Sequence, residues 1–335
     1  MTPTLQEVLA RPRPCLALAP MQDVTTWEFW RLTASYGGAD LYFTEFFRVT
    51  QNTHPTRKIL RSVVENPTGQ PVIAQMIGND VGELVRFAKR LQRCPVAAID
   101  LNLGCPAPVV YRKCAGGGLL REPRRVDAIL GALREAITDV PFTVKTRIGF
   151  SDPGEFDGLL KIFQKHPVDL WSVHGRTVTE GYRDIVHDDR IADAVRELRG
   201  PVLANGSVNS PGRAVAILQK TGARGVMLGR SAVRAPWLFQ QIRSALAGDS
   251  FQHPTGRDIQ EYICRLYDSV TDHGISDTAR TQHLKKYLTF VAQGVGADFL
   301  HGIRRCQTFA DIRSICQEFL DHDQPMDLVP ASAGL

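Results

Sequence analysis

The chain has no apolar run approaching the roughly 20 residues that a membrane-crossing helix needs. Its first stretch, "MTPTLQEVLARPRP", has no apolar core like that of a secretory leader. No such signal is therefore expected, and the cytoplasm is the expected compartment. The seven cysteines are odd in number and scattered, with no Cys-x-x-Cys and no Cys/His ladder. That argues against a disulfide framework and against a zinc site, so no structural metal is expected. No G-x-G-x-x-G opens a helix after the first apolar run, which weakens a dinucleotide-binding Rossmann reading. Neither sign of charge dominates, the net being +5 over 335 residues. The distribution is uneven, +8 through Arg234 and −3 beyond it. A polyanion would meet the basic first part; the tail is basic only locally, at Arg280, Lys285, Lys286, Arg304 and Arg305 against Asp298, and each of these is equally readable as part of a solvated helix face.

What is present is an alternation of short apolar runs with longer amphipathic stretches. The strand candidates are "CLALAPM" (15–21), "DLYFTEF" (40–46), "PVIAQMIG" (71–78), "VAAIDLN" (96–102), "PFTVKTRI" (141–148), "DLWSVHG" (169–175), "PVLANG" (201–206) and "ARGVMLG" (223–229). Helical patterns lie between them at 80–92, 123–137, 154–165, 189–198 and 210–221, with Asn79 as the expected cap of the first and Pro211 in the first turn of the last. Eight strands with crossovers imply a parallel α/β architecture, either a doubly wound sheet or a (β/α)8 TIM barrel. Polar residues stand at the ends of nearly all eight runs, whereas an open sheet concentrates them at one switch point, so the barrel is preferred. From about residue 246 the strand pattern stops, and 257–273, 276–294 and 306–320 read as helices. The expected division is a barrel over 1–245 and a small all-helical domain over 246–335, joined through "GDSFQHPTG" (248–256).

The strand ends offer Pro20, Met21 and Gln22; Glu45; Gln75; Asn102 and Cys105; Lys145 and Arg147; His174 and Arg176; Asn205 and Gly206; and Gly229 and Arg230. Glu45 is the single carboxylate, which disfavours a hard-metal site or glycoside hydrolysis. The last two strands end in "ANGSV" and "LGRSA", the place where such barrels hold phosphate, although either glycine alone is readable as a turn residue. Lys145 points into the mouth and needs an anionic partner, which a reduced flavin or Glu45 would supply. His174 is readable as structural or functional. Gly104 and Pro106 make a turn that exposes Cys105, while Cys94, Cys114, Cys264, Cys306 and Cys316 lack that setting and are read as structural. A free thiol has a pKa near about 8.5, so it is mostly protonated at neutral pH and can serve as a general acid; the alternative is a nucleophile, for which no His–acid pair is evident nearby in sequence.

These residues carry a resemblance. Over most of 15–320 the chain resembles the tRNA-dihydrouridine synthases, through "LAPMQDVT" (18–25), "LYFTEF" (41–46), "IAQMIG" (73–78), "IDLNLGCPAP" (99–108), "RKCAGGGLLREP" (112–123), "VKTRIG" (144–149), "VHGRT" (173–177), "ANGSV" (204–208) and "VMLGRSA" (226–232). The resemblance implies an FMN-dependent barrel with a C-terminal helical domain that helps to hold tRNA. It places Pro20, Met21 and Gln22 against the flavin ring and Gln75 and Lys145 at its pyrimidine edge. His174, Asn205, Gly206, Ser207, Gly229 and Arg230 surround its ribityl-phosphate end. Cys105 becomes the general acid, with Asn102, Lys145, Arg147 and His174 near the target uracil and Arg176 beside them. NADPH is the implied reductant, with NAD(P)+ as acceptor in the reverse direction.

"FTEFFRV" (43–49) and "HGRTVTEGYRD" (174–184) resemble most the DusC type, which modifies position 16 of tRNA, and make Tyr182 and Arg183 substrate contacts. "ARTQHLKKYLTF" (279–290) resembles the family's RNA-facing helix, with Arg280, Lys285 and Lys286 as contacts. The basic run 111–125 is a further candidate for the RNA grip, or else a solvated loop. The chain departs from the pattern at Pro108 and Val109, where many members carry a lysine; Arg112 and Lys113 remain nearby. A monomer is expected, with tRNA as partner and no membrane. The rival readings are a free-pyrimidine FMN dehydrogenase of dihydroorotate or dihydropyrimidine type, and an RNA-binding module without catalysis.

Overall fold

A computed structural model describes residues 2–183, 185–271 and 274–330. Nine strands are present: β1 (Cys15–Leu18), β2 (Leu41–Phe43), β3 (Phe47–Arg48), β4 (Val72–Ile77), β5 (Ala98–Leu103), β6 (Phe142–Arg147), β7 (Leu170–His174), β8 (Val202–Asn205) and β9 (Gly225–Leu228). All pairings are parallel. The order runs from β2 through β1, β9, β8, β7, β6 and β5 to β4, and β4 pairs back with β2. Eight strands thus close into a (β/α)8 TIM barrel. The ninth, β3, is a two-residue addition beside the end of β4.

Alternation along each strand sorts side chains between two layers. Ile99, Leu101, Val144, Val173 and Ala204 face the surrounding helices and belong to the large outer core. Ala17, Leu41, Phe43, Ile73, Ala98, Leu170, Leu203 and Met227 form a second cluster inside the barrel, joined by Leu5 and Val8 of the N-terminal helix Leu5–Leu9. Each such side chain, fully buried, contributes roughly 1.5–3 kcal/mol. Further along the same inward rows the residues turn polar: Gln75, Asp100, Asn102, Thr143, Lys145, Arg147, Ser172, His174 and Asn205 are all buried. The apolar half closes the barrel, and the polar half faces the mouth. At the seam of β1 and β9, a Cβ on Gly225 would lie 2.0 Å from the Cys15 carbonyl oxygen, so only glycine admits this closure.

The helices fall close to their expected spans: Val81–Leu91, Pro123–Ala136, Glu155–Phe163, Asp188–Glu197 and Pro211–Thr221. The first cap is a correction. Asp80, not Asn79, accepts from the Glu83 N–H, while the Asn79 amide donates to the Lys113 carbonyl at 2.7 Å. Beyond the barrel, Gly256–Val270, Asp277–Val295 and Phe309–Leu320 match three expected helices, and Ala297–Arg305 is a fourth that was not foreseen. Residues 272 and 273 of the first expected span lie outside the described residues. These helices dock on the barrel through buried phenols. Tyr262 Oη donates to the Val233 carbonyl at 2.7 Å, and Tyr287 Oη to the Val24 carbonyl at 3.0 Å. The helix Asp277–Val295 thereby lies against the barrel mouth. Among the described residues no helix is long and apolar enough to cross a membrane.

Candidate active site

The strand ends converge on a cavity of about 480 Å³, within the usual size range of cofactor sites. Pro20, Met21 and Gln22 line it from the loop after β1, and Asn102 and Cys105 from the end of β5. Lys145, Arg147, His174, Arg176 and Tyr182 line the opposite side. Asn205, Gly206, Ser207, Gly229 and Arg230 complete the wall after β8 and β9. Five cations, Lys145, Arg147, Arg176, Arg230 and Arg234, share this cavity, and no carboxylate of the described residues lines it.

Cys105 is held by a directional chain of hydrogen bonds that starts deep in the barrel. Thr143 Oγ1 donates to Asp100 Oδ1 at 2.6 Å, and Gln75 Nε2 donates to Asp100 Oδ2 at 2.7 Å. Asn102 Nδ2 donates to Gln75 Oε1 at 2.8 Å. Asn102 Oδ1 then accepts the backbone N–H groups of Gly104 and Cys105, each at 2.9 Å. The ionised carboxylate accepts at both oxygens and so fixes which way each amide points. Burial pushes Asp100 up to about 6, against the opposing pull of Thr143, Gln75 and Lys145. The glycine run 116–118 lets the next segment close on this loop: the Gly117 N–H donates to the Cys105 carbonyl at 3.2 Å, and a Cβ there would stand 2.9 Å from that oxygen.

Lys145 is buried, and its Nζ donates to Asn205 Oδ1 at 3.3 Å. Burial and the neighbouring Arg147 lower it to about 8, with Asp100 and Cys105 acting in the other direction. Arg147 is 1% exposed and is spent on backbone: Nε donates to the Gly104 carbonyl, and Nη1 to the carbonyls of Thr177 and Gly181. It therefore braces the Cys105 loop against the loop that carries Tyr182. Burial and the surrounding cations, Arg147 first, hold His174 well below the ordinary imidazole value, so the ring is neutral. Its Nε2 is buried without a hydrogen-bond partner among the described residues. Arg176 Nη2 donates to Ser207 Oγ at 2.8 Å. The Arg230 guanidinium lies over the Tyr182 ring, 4.2 Å from its centroid. Gly206 sits at φ +128°, and a Cβ there would meet His174 Cδ2 at 3.1 Å, so this close approach requires glycine.

Some expected residues stand elsewhere. Gln75 is fully buried beneath the cavity, with both ends of its amide committed to Asp100 and Asn102. Glu45 accepts from the Asp23 N–H at 2.6 Å and does not pair with Lys145. Arg183 is exposed and outside the cavity wall. On the helix Asp277–Val295, Lys285 is not a free surface cation: its Nζ donates to the carbonyls of Arg304 and Cys306, satisfying the end of the helix Ala297–Arg305. Arg280 stacks over the Tyr267 ring at 4.0 Å, and Lys286 is exposed. Of the basic run, Arg121 and Arg125 donate to the carbonyls of Tyr111 and Asn79, while Arg112, Lys113 and Arg124 are exposed, as is Arg121 itself. Asp100 escaped the sequence reading although it shares the inward parity of Asn102. Arg234, Phe290 and Gln293 also line the cavity unforeseen, the last two from the C-terminal helices.

A family model described as "Dihydrouridine synthase (Dus)" matches residues 17–316. The chain belongs to the dihydrouridine synthase family. The family consists of flavin-dependent oxidoreductases that act on tRNA, and the cavity described above is therefore the candidate active site of such an enzyme. The chain is 35% identical to tRNA-dihydrouridine synthase B of Pseudomonas syringae pv. tomato over 233 residues, 69% of this chain and 68% of the relative. It is 29% identical to tRNA-dihydrouridine(16) synthase of Neisseria meningitidis serogroup B over 314 residues, 91% of this chain and 94% of the relative. Among solved structures, histamine dehydrogenase from Rhizobium sp. 4-9 shares the fold, with a TM-score of 0.57 at 12% identity, covering 92% of this chain and 63% of that one.

Proposed function

We propose that the cavity binds FMN and that the protein, using NADPH, reduces the C5–C6 double bond of a uridine in the tRNA D-loop, at position 16. The single observation that carries this reading is the placement of Cys105 in the same cavity as neutral His174 and five cations, Lys145 among them, unopposed by a lining carboxylate of the described residues. The residues fit the cofactor. Gly206, Ser207, Gly229 and Arg230 would hold its phosphate. His174 Nε2, which has no partner among the described residues, and Lys145 Nζ, which keeps donor capacity beside its bond to Asn205, would offer polar contacts to the rest of it, with Pro20, Met21 and Gln22 against the ring. When bound there, the reduced cofactor would supply the hydride for C6 of the uracil.

The chain's own residues do the remainder. Cys105 holds the proton that completes the reduction at C5, and its Sγ–H bond breaks as the C5–H bond forms. Lys145 and Arg147 both interact electrostatically with Cys105, and their charge stabilises the thiolate left behind. The chain from Asp100 through Gln75 and Asn102 holds the loop that presents the thiol. The target base must leave its stack to enter. Residues 1–245 are proposed as the catalytic barrel and 246–335 as the part that helps to hold tRNA, with Arg280 and Lys286 on that side. Phe290 and Gln293, which line the cavity from the C-terminal helices, support a shared substrate path. The position-16 proposal is supported by the Neisseria relative, whose alignment spans 94% of its length, against 68% for the Pseudomonas syringae synthase B. A cytoplasmic monomer is proposed.

Cys105→Ala tests the reading. The variant is expected to retain FMN and its reduction by NADPH but to form no dihydrouridine in one turnover. Full single-turnover activity in that variant would remove Cys105 from the mechanism. Turnover of orotate or free uracil by the wild type without RNA would favour a free-pyrimidine dehydrogenase instead.

A further inference from the structure

Arg234 has no part in the chemistry above, and its surroundings do not explain its charge. It closes the short helix Arg230–Arg234, and only 4% of the residue is exposed. Among the described residues its Nε is buried with no hydrogen-bond partner, and no carboxylate lines the cavity it faces. The side chain cannot swing away to water. Its Cδ is pressed against Gly294 on the helix Asp277–Val295, where even an added Cβ would come within 2.8 Å. The charge that acts on it is Arg230, one turn earlier and of the same sign. Burial and Arg230 together lower Arg234 to about 10, so it still carries its proton at neutral pH. A buried, unpaired cation beside a second cation is a heavy cost to a fold. An apolar side chain of similar length would fill the same gap between barrel and helix without that cost.

We propose that Arg234 is a phosphate-binding residue, forming with Arg230 a two-arginine seat in the cavity wall beneath the helix Asp277–Val295. The ligand class is a phosphate ester oxyanion, and two sources meet that chemistry: the terminal phosphate of the cofactor and a backbone phosphate of the RNA. The cofactor source rests on the FMN reading given above; the RNA source does not.

The test compares Arg234→Met and Arg234→Lys with the wild type, using apoprotein titrated with FMN and with riboflavin, which lacks the phosphate. If the seat takes the cofactor phosphate, Arg234→Met weakens FMN binding by roughly 30-fold or more and leaves riboflavin binding unchanged, with partial recovery in Arg234→Lys. If it takes an RNA phosphate, FMN binding is unchanged. The dissociation constant for an unmodified tRNA transcript then rises, and the slope of log K against log salt falls by about one. Equal affinity of Arg234→Met and wild type for both FMN and tRNA overturns the proposal. So does an equal loss of FMN and riboflavin affinity, since that would be a packing defect. Failure of the wild type to bind either flavin would sink the FMN reading and leave the RNA arm to decide the seat.

Discussion

Replacing Lys145 with methionine separates a charge kept for a ligand from one kept for the fold. The ammonium is buried, and the hydrogen bond it donates to Asn205 Oδ1 is long at 3.3 Å. Burial and Arg147 bring it from the ordinary lysine value of 10.5 down to about 8. That drop corresponds to about 3 kcal/mol by which folding disfavours the charged form. Because the folded value lies below the unfolded one, the cost is full at pH values below about 8 and vanishes as the pH rises toward about 10.4. Methionine fills a similar volume without charge, and Asn205 keeps its other bond, from Nδ2 to the Met227 carbonyl at 2.8 Å. Lys145→Met apoprotein is therefore expected to be more stable than wild type by about 3 kcal/mol at pH 7, and by less than about 1 kcal/mol at pH 10. Flavin affinity should fall in the same variant. Urea titrations of both apoproteins at the two pH values read the first effect, and flavin titration the second. A variant less stable than wild type at pH 7, or a gain that does not shrink with pH, would refute the reasoning.

Asp100 gives the opposite profile. Its folded value of about 6 lies above the ordinary carboxylate value, so its contribution to stability is most favourable below about pH 4 and is lost as the pH rises through 6. Asp100→Asn is expected to flatten the stability of the apoprotein across that window, read by urea midpoints at pH 4 to 7. Gln75→Leu leaves Asn102 Nδ2 and Asp100 Oδ2 without their bonds, at about 1–3 kcal/mol for each group. It should also slow dihydrouridine formation more than it slows flavin reduction, which stopped-flow measurement of the two half-reactions separates. Tyr287→Phe removes the buried bond to the Val24 carbonyl, and a loss of about 1–3 kcal/mol is expected in the urea midpoint.

The barrel was legible because its eight strands are short apolar runs that each end in a polar residue, and period-two alternation placed Lys145 on the inward side while Val144 turned outward. What the sequence hid has physical reasons. β3 is two residues long and leaves no periodic trace. The helix Ala297–Arg305 is short, and the Lys285 ammonium, read as an RNA contact, bonds the Arg304 and Cys306 carbonyls at its end. Asn79 looked like a cap, but the adjacent Asp80 brings a charged acceptor to the same N-terminus, and Asn79 serves a distant carbonyl instead. Asp100 lay inside an apolar run, where its charge passed for part of a strand. Its role comes from partners on β4 and β6, which only closure of the sheet brings together. The burial of Arg234 was not legible because nothing local says that a helix from 43 or more residues later will cover it.

The most direct test of the whole account is a single turnover under anaerobic conditions. Holoenzyme is reduced with NADPH, freed of excess reductant, and mixed with an unmodified tRNA transcript while flavin oxidation and dihydrouridine content are followed in the same sample. One dihydrouridine per flavin reoxidised, mapped to position 16, is the expected result. Reduced flavin that stays reduced in the presence of tRNA, yet is oxidised by a free pyrimidine, would contradict it.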